Sequence, residues 1–408
     1  MIRFLLTCLI MLSFPPSVSA QLVIAGGGLE ADTKDVWQAF IKQAKGDGDF
    51  VIVPSASGSP AQSGQSVVDT LLSYGVAKNR VTVAPLALLD DRITPDVDES
   101  DWRHNIDDPE VIEQLGEASA IWFTGGDQLR TTELFLPEGQ ESAALHAVRR
   151  AQKRGVPIGG TSAGAAIMSR SMIARGDTLT ALTGSDSGEP LRIEDGLGFF
   201  PSGLVDQHFG ERARLGRLAV ALGRIEDQTQ RIGFGIDENT ALITKTDGTV
   251  SVAGTGYVTI LDGRNANFRE QDGRVQISGL MLHLMSASDQ INLDSLSVTA
   301  AYWKSPTVGD EYVEAALPGG GGMAVQGQAL QDVIGEGLID NAESQSVERI
   351  SFDASGRGVG YLFRQSEASS GFWGRGPDGS GRYTIANIAF DIIPVDLSMT
   401  TLSLATQP

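Results

Sequence analysis

Short, largely apolar segments recur through the first part of the chain, at 22–25, 50–53, 80–84, 120–123 and 156–159. Between them lie stretches with helical spacing: 32–45, where Val36, Phe40 and Ile41 share a stripe, then 65–75, 111–115 and about 138–154. Strands without polar alternation are buried on both faces, and their alternation with helices predicts an α/β fold with a doubly wound, mostly parallel sheet. From about residue 232 the pattern changes. Segments 232–236, 240–244, 249–252 and 257–261 are short and separated by Gly, Asp and Asn turns, which predicts a β-meander, and a further strand is expected within 275–297. The run Leu317-Pro318-Gly319-Gly320-Gly321-Gly322 reads as a linker or mobile loop. Beyond it lie a helix candidate at 329–339 and strands at 358–363 and 383–394. The expected organisation is an α/β domain over 21–297 and a β-rich C-terminal extension over 298–408.

The first twenty residues read differently. Arg3 supplies a positive start, 4–14 is apolar, Pro15 and Pro16 break the run, and Val18-Ser19-Ala20 places small residues at a cleavage position, so 1–20 is expected to be a signal peptide. No other stretch is long and apolar enough to span a bilayer, so no membrane association is expected after cleavage. Cys8 is the single cysteine and lies in that leader, which excludes a disulfide framework and multi-thiolate metal sites. The four histidines (His104, His146, His208 and His283) are too far apart in sequence for HExxH-type zinc motifs. Formal net charge is −20. A nucleic-acid partner needs a basic footprint and is not expected; a cationic partner fits better.

Candidate chemistry sits at strand ends. Gly160-Thr161-Ser162-Ala163-Gly164 satisfies G-x-S-x-G between a strand and an apolar helix-like run, the context of a nucleophile elbow. The helix start aims backbone N–H groups, Ala163 among them, at a developing oxyanion. The alternative is an ordinary strand–helix turn with a serine cap. Thr124-Gly125-Gly126-Asp127-Gln128 also follows a strand, where ligands bind in such sheets. The Gly126 N–H could complete an oxyanion hole and Gln128 could bond a substrate amide, unless this is only a tight turn. A serine nucleophile needs a base. In Asp206-Gln207-His208-Phe209, His208 follows an apparent strand end, whereas His104 lies in an acidic loop, His146 mid-helix and His283 in an apolar strand. Arg214 and Arg217 are three apart and share a helix face; Arg212 joins them only if the helix starts later. Such cations suggest carboxylate binding, against the alternative of a solvated helix face. Asp237 and Glu238 both offer a carboxylate to orient His208, and strand parity sends them to opposite sides without choosing between them.

Together these strings resemble the cyanophycinases, in the serine peptidase family related to dipeptidase E: FTGGDQ (123–128), GGTSAGAA (159–166), DQHFGERARLGRL (206–218) and GFGIDENTAL (233–242), with 282–293 similar to the family's closing strand. The resemblance covers about 22–297. It implies Ser162 as nucleophile, His208 as general base and Glu238 as orienting acid. It places Gln128, Asp206, Gln207, Arg212, Arg214 and Arg217 in the substrate pocket, the arginines holding carboxylates and Asp206 or a nearby acid holding a guanidinium. The implied substrate is cyanophycin, a poly-aspartate backbone with arginine on each β-carboxyl, and the products are β-Asp-Arg dipeptides. No metal or cofactor is implied, and a homodimer is left open. Alternatives are a related peptidase for other isoaspartyl or Asp-containing peptides and a noncatalytic binder of acidic ligands. Two features depart from the family. The leader implies a secreted or periplasmic protein, and the tail after 297 has no counterpart in the minimal enzyme.

Overall fold

The computed structural model describes residues 21–398, apart from 187, 316–320, 325 and 327. The signal peptide expected at 1–20 and most of the glycine-rich linker lie outside the described residues. The first half builds α/β layers. Strands β1 (Leu22–Ala25), β2 (Phe50–Val53), β3 (Val81–Val83), β4 (Ala120–Phe123) and β5 (Ile158–Thr161) lie parallel in the order β1-β5-β4-β2-β3. Helices α1 (Lys34–Gln43), α2 (Pro60–Ser73), α3 (Pro109–Gly116), α4 (Gln128–Phe135) and α5 (Ala143–Lys153) connect them.

The apolar runs divide between two cores because successive strand side chains point to opposite faces. Val23, Ile52 and Trp122 pack under Val36, Phe40 and Leu71 of α1 and α2. Ile24, Val53 and Phe123 pack on the other face with Leu115, Phe135 and Val148 of α3, α4 and α5. Helix α5 starts later than its periodicity predicts. Glu138 takes a left-handed turn (φ 53°), and the Ser142 hydroxyl caps the helix by accepting from Leu145 N at 3.2 Å.

After β5 come α6 (Ala163–Ala166), strands β6 (Ser171–Arg175) and β7 (Arg192–Asp195) with α7 (Thr178–Thr183) between them, then β8 (Leu204–Gln207), α8 (Leu215–Gly223) and β9 (Ile232–Ile236). The chain then alternates between two sheets. Strands β10 (Thr240–Thr244) and β11 (Thr249–Gly254) return antiparallel beside β1, while β12 (Val258–Asp262) pairs with β9. The expected meander is therefore split, because the turn at 237–239 turns the chain back from the β8–β9 pair to β1. β13 (Asn267–Gln271) and β14 (Arg274–Met285) follow β12, and β15 (Gln290–Asn292) and β16 (Val298–Thr299) close the edge of the nine-stranded first sheet.

Beyond 297 the chain does not form a separate layer. Strands β17 (Ser305–Pro306), β18 (Ser346–Phe352), β19 (Arg357–Arg364), β20 (Ser370–Arg375) and β21 (Gly381–Asp396) complete a second sheet of ten strands, in which β21 lies directly against β14. Tyr361, Phe363 and Phe390 of the extension share one core with Leu215, Leu218, Leu282 and Leu284. The helix expected at 329–339 is a π-helix over Asp332–Ile339, with Asp340 N donating to Gly335 O at 3.0 Å. Its Gly335 abuts the Tyr383 ring, where a Cβ would come within 2.8 Å. A buried ion pair also joins the two parts. Lys304 Nζ reaches Asp289 Oδ2 at 2.8 Å, Ser286 Oγ at 2.7 Å and Thr384 Oγ1 at 2.6 Å, with both charged side chains fully buried.

A chain ending at 297 would strip β21 from β14 and leave Asp289 buried without its cation. Breaking a buried pair costs about 3–5 kcal/mol, before the exposed Leu280, Leu282 and Leu284 are counted. The expected outcome is failure to accumulate as a soluble monomer with a cooperative melt, checked by expression, size exclusion and circular dichroism. A folded, soluble 21–297 fragment would show instead that the α/β region stands alone.

Candidate active site

Three strand ends from two sheets converge on one constellation. Ser162 follows β5 directly and sits outside helical geometry (φ 54°, ψ −111°) before α6. A non-glycine residue in that region is strained, a feature that clusters at functional sites. His208 follows β8 with φ 47°, and Glu238 lies two residues past β9. Ser162 Oγ is 2.8 Å from His208 Nε2, and His208 Nδ1 is 2.5 Å from Glu238 Oε1. An ionised carboxylate only accepts, so Nδ1 carries the proton and donates to Glu238. Nε2 is left to accept from the Ser162 hydroxyl. This arrangement can remove a proton from Ser162 and stabilise the imidazolium that results.

The turn after β1 registers all three groups. Ala25 O accepts from Ser162 N at 3.0 Å, Gly26 O from His208 N at 2.6 Å, and Gly27 O from Asn239 N, beside Glu238, at 3.0 Å. Gly27 (φ 115°) lies directly under the imidazole, where any Cβ would collide with the ring, and a Cβ at Gly28 would come within 2.7 Å of Glu238 Oε2. Gly26, Gly27 and Gly28 are absent from the candidate strings of the sequence, although they form a glycine turn directly after β1. Its signal was a glycine run at the carboxyl end of a parallel strand, where ligands and catalytic groups gather.

Asp237 points away from His208. Its buried carboxylate accepts from Gly210 N at 2.9 Å and Tyr257 N at 3.0 Å, bracing the 208–211 turn. It lines a cavity of about 430 Å³ formed with Phe209, Arg214, Tyr257 and, from the extension, Met323, Gln326 and Leu330. Burial first, then the nearby Glu211 charge, push the Asp237 carboxyl up to about 7.

The expected pocket residues divide into two groups. Asp206 and Arg217 are both buried and satisfy each other: Arg217 Nε donates to Oδ2 at 2.8 Å and Nη2 to Oδ1 at 2.5 Å, while Nη1 donates to Gly176 O at 2.6 Å. Each side chain is thus held by the other, beneath the exposed Arg212. Gln128 is also engaged. Its amide nitrogen donates to Ile173 O at 3.0 Å and Ala174 O at 2.8 Å, so only its oxygen remains for a ligand. Together Gln128 and Arg217 hold the end of β6 as one wall. Helix α8 begins at Leu215, so Arg214 is its cap rather than a partner of Arg217 on one helix face. Arg214 Nη1 donates to Gln207 O and Gln207 Oε1, and burial brings its guanidinium down to about 10. Arg212 is exposed and acts on His208 through its charge. Ala163 follows Ser162 at the start of α6; in the turn after β4 it is Gly125 that lies against Ser162, where a Cβ would come 3.3 Å from Ser162 Cβ, whereas Gly126 packs on Ala56 and Ser57. His283 is buried between β12 and β21, and burial pushes it down to about 4. Among the described residues no group of three or more His, Cys, Asp or Glu could hold a metal ion. No helix among them is long and apolar enough to cross a membrane.

The α/β layers and the serine-centred constellation define a serine-type peptidase. A family model for peptidase family S51 matches residues 22–252, and the chain belongs to that family. Curated relatives include a cyanophycinase of Geminocystis herdmanii (strain PCC 6308), 34% identical over 286 residues covering 67% of this chain and 93% of its own. A cyanophycinase of Synechococcus elongatus is 33% identical over 281 residues, covering 67% of this chain and 79% of its own. One from Trichormus variabilis (strain ATCC 29413 / PCC 7937) is 30% identical over 295 residues, covering 69% and 88%.

The geometry separates the two acidic neighbours. Glu238→Gln should lower kcat by roughly four orders of magnitude, as loss of a triad acid does elsewhere. Asp237→Asn should instead cost about 1–3 kcal/mol of stability by leaving a buried N–H unmatched, with kcat within about tenfold. Steady-state kinetics and denaturant melts on both variants check this, and the reverse pattern would reassign the orienting role to Asp237.

The pH profile carries a second signature. Burial chiefly lowers the His208 pKa, the Glu238 hydrogen bond opposes this, and the Arg212 and Arg214 charges lower it further. A base works when neutral, so activity should be present above the lowered value and lost as pH falls through it. The acid limb of kcat/KM should therefore lie below the ordinary imidazole value of about 6.5. Arg212→Gln removes a repelling cation and should move that limb to higher pH, while Arg212→Lys leaves it in place. A limb unmoved by Arg212→Gln would place Arg212 outside the field of His208.

Proposed function

We propose that this chain is an exported exopeptidase that hydrolyses cyanophycin and releases β-Asp-Arg dipeptides. The observation that carries the reading is the contact chain Ser162–His208–Glu238 at three converging strand ends. The names of its curated relatives support the polymer as substrate. In this mechanism His208 Nε2 takes the Ser162 proton as Oγ bonds to the scissile carbonyl carbon. The oxyanion turns toward the N–H groups of Ala163 and Gly126. His208 then gives the proton to the leaving amine, and water, activated by the same imidazole, hydrolyses the acyl-enzyme. Arg212, which is exposed, meets substrate carboxylates at the rim, and Arg214 and Arg217, both paired with Asp206 at 3.6 and 2.5 Å, lie beneath it with Gln128 and Gln207. Arg3, the apolar run 4–14 and Val18-Ser19-Ala20 support export to the periplasm or beyond.

The test incubates the purified protein with cyanophycin and follows soluble products by mass spectrometry. The expected product is β-Asp-Arg. Ser162→Ala should fold normally and lose activity on the order of a million-fold, as a comparable serine enzyme does without its nucleophile. Cleavage of α-linked Asp-Arg peptides in preference to the polymer would replace this reading with a related peptidase. Ser162→Ala activity above about a tenth of wild type would remove Ser162 from the nucleophile's role.

A further inference from the structure

Two tyrosine rings stand almost bare along the outer edge of the second sheet. Tyr302 is 92% and Tyr312 89% exposed, and they bracket β17, the terminal strand of that sheet. Neither belongs to loosely held chain. One residue before Tyr302, Ala301 N donates to the buried Asp289 at 2.8 Å, and two residues after it Lys304 plunges into its buried cluster. Tyr312 N donates to Asp340 Oδ1 at 2.8 Å, and the same carboxylate accepts from Tyr383 OH at 2.8 Å. Both backbones are thus pinned to the core while the rings project into water. Trp373 extends the aromatic surface. It is 38% exposed, pairs across from Ser305 of β17, and already carries the Arg375 guanidinium 5.8 Å from its ring. The Trp303 carbonyl beside Tyr302 packs on Gly374, next to Trp373.

Around Tyr302 and Tyr312 the exposed charges nearby in sequence are acidic, and the cation on this edge, Arg375, already lies over Trp373. Asp310, Glu311 and Glu314 surround Tyr312, with Asp310 and Glu314 exposed. Lys304 is the single cation between 298 and 331, and it is buried against Asp289. Aromatic faces with adjacent carboxylates match one chemistry in particular. A guanidinium is planar and weakly hydrated, stacks on aromatic rings and pairs with carboxylates. A polyanion would be repelled.

We infer that the β17 edge of the extension is a docking surface for the arginine side chains of the polymer, separate from the catalytic site; this rests on the cyanophycin reading above. The polymer carries a guanidinium on every backbone unit. Individually weak stacking contacts, repeated along a polymer, hold the enzyme on its substrate through effective concentration.

The experiment uses full-length protein carrying Ser162→Ala, mixed with cyanophycin granules and sedimented. Adding Tyr302→Ser and Tyr312→Ser should weaken granule binding by about five- to thirtyfold, from two exposed cation–π contacts. Tyr302→Phe with Tyr312→Phe should bind as the parent does. Free L-arginine should displace the parent and poly-aspartate should not. With Ser162 intact, the two serine variants should keep kcat/KM on a short soluble β-Asp-Arg oligomer within about twofold while granule hydrolysis slows. Unchanged sedimentation of the serine variants overturns the inference, as does a parent that ignores granules or is displaced by poly-aspartate. Self-association lost on tyrosine substitution, without change in granule binding, also overturns it and makes the edge a contact between copies. Failure of wild type to cleave the soluble oligomer would strike the cyanophycin reading itself, independently of the sedimentation result.

Discussion

Three consecutive backbone carbonyls, those of Ala25, Gly26 and Gly27, hold this molecule's chemistry together. They accept from Ser162, His208 and Asn239, residues that arrive from two different sheets. Without that shared rail the nucleophile would belong to one layer and the base and acid to another, and small slips between layers would open a 2.8 Å contact. The rail works only if it has no side chains where the imidazole and carboxylate lie, which is why Gly27 and Gly28 stand there. Precise placement of reacting groups is worth several orders of magnitude in rate, so a turn with no reactive atom of its own still governs activity.

The same economy governs the charges beneath the site. Asp206 and Arg217 pair in the interior with a bidentate fork, and Arg217 spends its remaining donor on the Gly176 carbonyl. A buried pair of this kind contributes little net stability, but removing either partner strands a charge. The pair therefore acts as a rigid floor that locks β6 against β8. Arg214 approaches the same carboxylate at 3.6 Å, so two arginines converge on Asp206 while Arg212 stands exposed above them.

Much of the first sheet was legible because continuous apolar strands and amphipathic helices are local patterns. Ser162 and His208 were legible because each sits in a string with a recognisable context; Glu238 was singled out only by the family resemblance. What the sequence withheld is long-range. Whether Asp237 or Glu238 faces His208 depends on how the turn after β9 packs against Gly210 and Tyr257. Arg217 looked like a partner of Arg214 on a helix face, yet the helix starts only at Leu215, and the buried Asp206 captures Arg217 first. The split of the expected meander and the pairing of β14 with β21, more than a hundred residues later, are likewise tertiary choices that spacing cannot reveal.

The extension shows how one segment can serve both interior and surface. Lys304 carries the full desolvation penalty of a buried ammonium, which is tolerable only because Asp289, Ser286, Thr384 and the Tyr383 carbonyl surround it. That cluster fixes a stretch of chain that carries the exposed Tyr302. A ring held on such a base presents its face without the conformational entropy that a flexible tether would lose on binding. The sheet that completes the hydrophobic core around α8, the helix following the His208 loop, thereby also sets out the aromatic edge. Side-chain changes can separate the catalytic site from this edge, but cutting the chain between them cannot, because both draw on one core.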